Sequence, residues 1–131
     1  MYMGDDGTSP VGFEYQLVDD ERHPDVLQNG PLHATGSLYF LIAPNDSKKL
    51  KPAGQFNESR IIVQGNHVEH WLNGAKIVSF DLGSDDLQRA IARSKYKSVP
   101  GFAQKVPTRI LLQDHGDEIR FRNMKIRNLA K

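Results

Sequence analysis

Period-two alternation in short runs, turn signals between them and a single stretch with helical spacing predict an all-β fold, an antiparallel β-sandwich or jelly roll with one short helix. Phe13, Tyr15 and Leu17 share one face of the first run while Glu14 and Gln16 share the other, the pattern of a half-buried strand. Asp19 to Pro31 is polar and holds His23-Pro24 and Asn29-Gly30-Pro31, so a surface loop is expected before a strand over Ser37–Ile42. Ala43 to Gly54 is loop again, with Pro44, Pro52 and the lysines Lys48, Lys49 and Lys51. Strands follow at Ser59–Val63, His67–Leu72 and Lys76–Phe80, joined by Gln64-Gly65-Asn66 and Asn73-Gly74. Asn-Gly is the strongest short hairpin signal, because both central residues of a type I′ turn need positive φ. Ser84 is placed as an N-cap, Asp85 and Asp86 suit the positive end of a helix dipole, and Leu87 and Ile91 share a face, predicting a helix over Asp85–Ser94. Beyond Pro100-Gly101 and Pro107, Arg109–Gln113 and Glu118–Met124 complete a set of seven strands around Asp114-His115-Gly116-Asp117.

The 131 residues fit a single domain over 1–131, able to bury roughly two-thirds of the surface its unfolded chain exposes. Seventeen Lys+Arg against sixteen Asp+Glu leave a formal net charge of +1, so no overall field steers the molecule to nucleic acid or an anionic membrane. The lack of cysteine removes disulfides and thiolate metal sites and leaves the compartment open. No apolar run reaches the ~20 residues of a bilayer span, and the start lacks a basic segment leading into an apolar core. A soluble chain with no membrane span and no signal peptide is expected. The basic region Arg120 to Lys131 lacks the interleaved aromatics of a nucleic-acid platform, so its charges are expected in solvent.

Histidine, carboxylate, amide and indole groups gather at Gly65–Gly74 and at Leu112–Gly116. A polar strand face beside an exposed Trp suits a sugar, which makes carbohydrate the first ligand to consider. Alternation puts Val68, His70 and Leu72 on the core side of their strand and His67, Glu69 and Trp71 on the other. There Trp71 can stack on a sugar ring while Glu69 binds hydroxyls or moves a proton; packing of Trp71 beneath a long loop is the alternative. His67 and His70 point to opposite faces of a strand, so they do not share a metal, and His70 is expected as a hydrogen-bonded core histidine. His115, in its Asp-His-Gly-Asp turn, suits acid or base work near neutrality, or else is solvated while Asp114 and Asp117 fix the turn. Glu14 with Gln16 forms a polyol-binding set or a wetted sheet face. Arg60, Arg120 and Arg122 alternate with apolar residues and offer guanidinium groups to an oxyanion. Asp5-Asp6-Gly7 and Asp19-Asp20-Glu21 lack calcium-loop spacing, and neither a phosphate loop, a nucleophile elbow nor a zinc motif is present. No metal and no cofactor are expected.

Five linked stretches, Phe13 to Asp25, Gly36-Ser37-Leu38-Tyr39, Gly65 to Gly74, Leu112-Gln113-Asp114-His115-Gly116 and Phe121 to Ile126, resemble in order the 3-keto-disaccharide hydrolase domain family. The resemblance implies a concanavalin A-like jelly roll and a hydrolase acting on glycosides already oxidised to a ketone at sugar carbon 3, by elimination and hydration. Such chemistry needs a base, a stabiliser for an enolate oxygen and an acid for the leaving group. It makes Glu14, Glu69 and His115 the candidates for proton transfer, Gln16, Arg60 and Gln113 for oxygen binding, and Trp71 and Tyr39 for stacking. A non-catalytic carbohydrate-binding module is the alternative. Family domains begin several strands before the Phe13 run, so the chain is expected to lack N-terminal strands, and Phe40 stands where members often carry Asp. A lost strand exposes a sheet edge and predicts a homo-oligomer through it. The resemblance further implies a periplasmic or extracellular location.

Overall fold

The computed structural model describes residues 12–104 and 110–129. Its centre is an antiparallel meander of β1 (Ser59–Gln64), β2 (His67–Leu72) and β3 (Ala75–Asp81), in that order across the sheet. The Asn73-Gly74 turn behaves as its sequence demands, with φ of 48° and 83°. Strand β2 alternates strictly, Val68, His70 and Leu72 buried and His67, Glu69 and Trp71 half-buried on the outer face, as the period-two reading requires. Strand β3 does not: the register shifts between His70 and Trp71, and this irregularity lets the consecutive residues Ile77 and Val78 both go inside. Strand β1 is an edge, with Ile61 and Val63 exposed.

Helix α2 (Asp85–Ala92) starts where expected: the Ser84 hydroxyl accepts from Leu87 N at 3.3 Å, and Leu87 is buried. It stops short of Ser94, because Ser94 is itself a cap, its Oγ accepting from Tyr96 N at 3.0 Å to open a 3-10 turn over Lys95–Ser98. Phe13, Leu38, Leu41, Val68, Val78, Phe80, Leu87 and Tyr96 form one core against the inner face of the sheet.

Three expectations are corrected. The polar stretch from Asp19 to Pro31 is not all loop: it holds α1 (Pro24–Asn29) and leads into a 3-10 turn over Gly30–His33. Pro24 opens α1 with φ already suited to a helix, Asp25 N donates to His23 Nδ1 at 3.3 Å, and Gly30 closes it at φ 76°. The runs over 13–17 and 37–42 are not regular strands. They meet through a single bridge, Tyr15 to Leu38, after which the chain folds back, Leu38 bridging Ile42 while Phe40 sits at φ 68°. Leu38 and Leu41 are the buried pair there, a spacing of three that alternation could not anticipate. Residues 110–129 contain no strand and are largely exposed; Arg109 lies outside the described residues. The described residues therefore form a sheet-rich fold with one three-stranded antiparallel sheet and few helices, without the second sheet of a sandwich. No helix among them is long and apolar enough to cross a membrane.

His70 is the core histidine expected. It is 3% exposed, and its Nδ1 donates to the Gly36 carbonyl at 2.9 Å. Burial disfavours the imidazolium and brings its pKa down to about 4, against a smaller opposing effect of the Gly36 bond. Between the unfolded value of about 6.5 and the folded value the unfolded chain binds a proton that the folded chain refuses, so stability falls as pH drops through that window and then levels. The loss is on the order of 3 kcal/mol. Urea unfolding at pH 7 and pH 4.5 should show it, and His70→Gln, which can still donate to Gly36, should remove most of the difference.

Candidate active site

The site is assembled around the 13–17 segment, to which Tyr39 bonds through its backbone. Phe13 anchors that segment, its ring 5.6 Å from Phe80 and 5.2 Å from Phe102. Tyr15 lies 4.7 Å from the His70 ring and donates to the Trp71 carbonyl at 3.1 Å. Glu14 lies between them in sequence and is half-buried. Its backbone carbonyl accepts from Tyr39 N at 2.9 Å, which sets the Tyr39 segment alongside. Burial raises the Glu14 pKa, while the positive charges of Lys95 and His115 pull it back and Asp25 adds to the rise. Gln16 is folded onto its own segment, its Oε1 accepting from Leu17 N at 3.0 Å.

Asp25, in the first turn of α1, gathers three donors: Asn29 Nδ2 at 2.8 Å, His33 Nδ1 at 2.9 Å and the Tyr39 hydroxyl at 3.0 Å. Burial alone would raise its pKa, but the bonds from His33, Tyr39 and Asn29 outweigh it and hold the carboxyl below its usual range. Burial, the bond to Asp25 and the Asp25 charge push the Tyr39 phenol up to about 12. The buried His33 meets Tyr39 edge-on at 4.8 Å, and Lys95 Nζ sits 4.5 Å from the Tyr39 ring centre. Tyr39 is thus engaged at its hydroxyl and on its ring, so it frames the site more than it offers a bare stacking face.

Of the three proton-transfer candidates the structure brings Glu14 and His115 within electrostatic reach of one another. His115 is exposed in a turn fixed by Asp114, whose Oδ1 accepts from Gly116 N at 2.8 Å. Glu69 lies half-buried on the outer face of β2, beside His67 and Trp71. Glu69 is also occupied: it accepts from Trp71 Nε1 at 2.8 Å and Lys76 Nζ at 2.9 Å, contacts that lower its pKa. Trp71 and Arg60 share that outer face, the guanidinium 5.9 Å from the indole and bonded to Glu58 at 3.1 Å. Gln113 is exposed in a shallow groove with Asp114, Asp117 and Phe121. Among the described residues no cluster of three or more His, Asp or Glu side chains is arranged to hold a metal ion.

Sequence reading missed Asp25, His33 and Lys95. Asp25 sits in a stretch expected to be loop, His33 lies between that stretch and the strand expected from Ser37, and Lys95 follows a helix expected to run to its neighbour. Only the Pro24-Asp25 pair, a helix-opening signal, pointed toward them.

A 3-keto-disaccharide hydrolase of Bacteroides thetaiotaomicron is 30% identical over 140 residues, covering 96% of this chain and 48% of that protein. A crystal structure described as a candidate glycosyl hydrolase of Parabacteroides distasonis superposes with a TM-score of 0.65 at 34% identity, covering 76% of this chain and 48% of that one. The chain therefore spans about half the length of both relatives. The family model of the 3-keto-alpha-glucoside-1,2-lyase-like domain matches residues 1–127, and the chain belongs to that family.

Proposed function

We propose that this chain supplies proton-transfer groups for cleavage of 3-keto-glycosides by elimination and hydration. A ketone at sugar carbon 3 acidifies the proton on carbon 2. A base takes that proton, the freed electron pair forms an enolate, and re-formation of the ketone expels the group on carbon 1, which picks up a proton as it leaves. Water then adds across the new double bond, hydroxyl to carbon 1 and proton to carbon 2. The observation that carries the reading is the half-buried Glu14, whose pKa is raised by burial and pulled back by the charges of Lys95 and His115. A carboxylate shifted toward neutrality is suited to act as the base, and the exposed His115, whose charge reaches it, as the acid for the leaving group. The names of the two relatives support glycoside cleavage at this coarser level.

Release of nitrophenol from a nitrophenyl 3-keto-glucoside tests the reading. Binding without release would favour the second, a carbohydrate-binding module working through the outer-face set of Trp71, Glu69 and Arg60. In that case Trp71→Ala should weaken sugar affinity about tenfold, the scale of one lost aromatic contact. Isothermal titration would measure it, and an unchanged affinity would remove Trp71 from the binding surface.

A further inference from the structure

Among the described residues Lys95 is the cation set against three aromatic rings at once. Its Nζ lies 4.5 Å from the centre of the Tyr39 ring, 5.2 Å from that of Tyr96 and 5.6 Å from that of Phe40. No carboxylate among the described residues forms an ion pair with it. Ring faces attract an ammonium without neutralising it, so the charge is held in place yet remains available to a ligand oxygen. The support is stiff. Ser94 Oγ donates to the Ile91 carbonyl at 2.8 Å and accepts from Tyr96 N at 3.0 Å, and Tyr96 stacks on Phe102 with centres 4.3 Å apart and planes 5° from parallel. Its charge also acts on the half-buried Glu14 more strongly than that of any other positive group.

Resting on the elimination reading above, we propose that Lys95 is the catalytic cation that receives the enolate oxygen formed on carbon 3 of the sugar. When Glu14 takes the carbon 2 proton, the C2–H pair becomes the C2=C3 bond and the ketone pair moves onto the oxygen, where a positive charge is needed. Collapse of that oxyanion re-forms the ketone, moves the C2=C3 pair to C1=C2 and expels the carbon 1 oxygen with its bonding pair. Lys95 keeps its proton and its charge throughout. Tyr39 cannot serve in its place, because its hydroxyl already donates to Asp25.

Two rates on the full chain separate this role from the reaction reading itself. Deuterium uptake at carbon 2 of methyl 3-keto-glucoside, followed by NMR in deuterated water, reports enolate formation; nitrophenol release reports the complete elimination. Lys95→Met, which keeps the aliphatic stem, should lower kcat for both about 100-fold with KM changed less than about threefold, and Lys95→Arg should recover about tenfold of the loss, the range seen when an oxyanion donor is removed. Circular dichroism checks the fold, with Lys95→Gln taking the place of any Met variant that does not fold. Wild type that exchanges and releases while Lys95→Met does so within about threefold, or a rise in KM alone, would overturn the role of Lys95. Wild type that neither exchanges nor releases would overturn elimination, and Lys95's part with it.

Discussion

Glu14→Gln is expected to lower kcat/KM for a 3-keto-glucoside about 10³-fold, the scale of losing a positioned general base. Glutamine fills the same volume and leaves the backbone bond from Tyr39 N to the Glu14 carbonyl in place, so the thermal midpoint should move little. What disappears is a proton acceptor. A base must be ionised to act, so the rate of the wild type should rise with pH through the Glu14 pKa. Burial lifts that pKa above its ordinary value, Lys95 and His115 lower it, and Asp25 raises it. The acid limb of the profile should therefore lie above the range of a solvated glutamate, and move further up when the Lys95 charge is removed. A Glu14→Gln variant with wild-type turnover would take this residue out of the chemistry.

Gly36→Ala is expected to destabilise the fold more than an added methyl at Gly30, Gly54, Gly65, Gly74, Gly83 or Gly116, where a Cβ meets nothing. Gly36 holds φ at 85°, where an L-residue with a Cβ is strained by roughly 1–2 kcal/mol. The added Cβ would also run into Ile77 Cδ1, and Ile77 is only 1% exposed, packed where the irregular register of β3 turns it inward. Overpacking of a filled core costs roughly 1–3 kcal/mol, for a total of roughly 2–5 kcal/mol. Displacing Gly36 also disturbs the carbonyl that accepts from His70. Urea unfolding should show the loss, and the double variant Gly36→Ala with Ile77→Val, which removes the clashing methyl, should regain the packing part and leave the backbone part. If the double variant regained nothing, the contact with Ile77 would not be the cause.

The meander and α2 were legible because their signals are local. Asn73-Gly74 dictates a turn by its own φ preferences, and Ser84 caps by its own hydroxyl. The facing of β2 followed from alternation alone, since its inner face is covered and its outer face is polar. Legibility ends where distant segments decide. Leu38 and Leu41 are buried because Phe13 and the sheet close over both sides of a tight fold-back, not because a strand alternates there. The site was legible only as single residues. Glu14 and His115 were picked out for their chemistry, but that the charge of one reaches the other is set by the fold and by no spacing in the chain. Glu69 sits on the outer face of β2, bonded to Trp71 and Lys76.

Glu14 is flanked on its short segment by Phe13 and Tyr15, whose rings pack on Phe80, Phe102 and His70. In a random library scored by product formation, lesions at either aromatic neighbour would imitate loss of the acid group, because loosening the hydrophobic anchors swings the carboxylate out of line. Pairing each score with a melting curve would sort the impostors from true chemical knockouts, and would let the anchors be tuned to shift the acid without touching it.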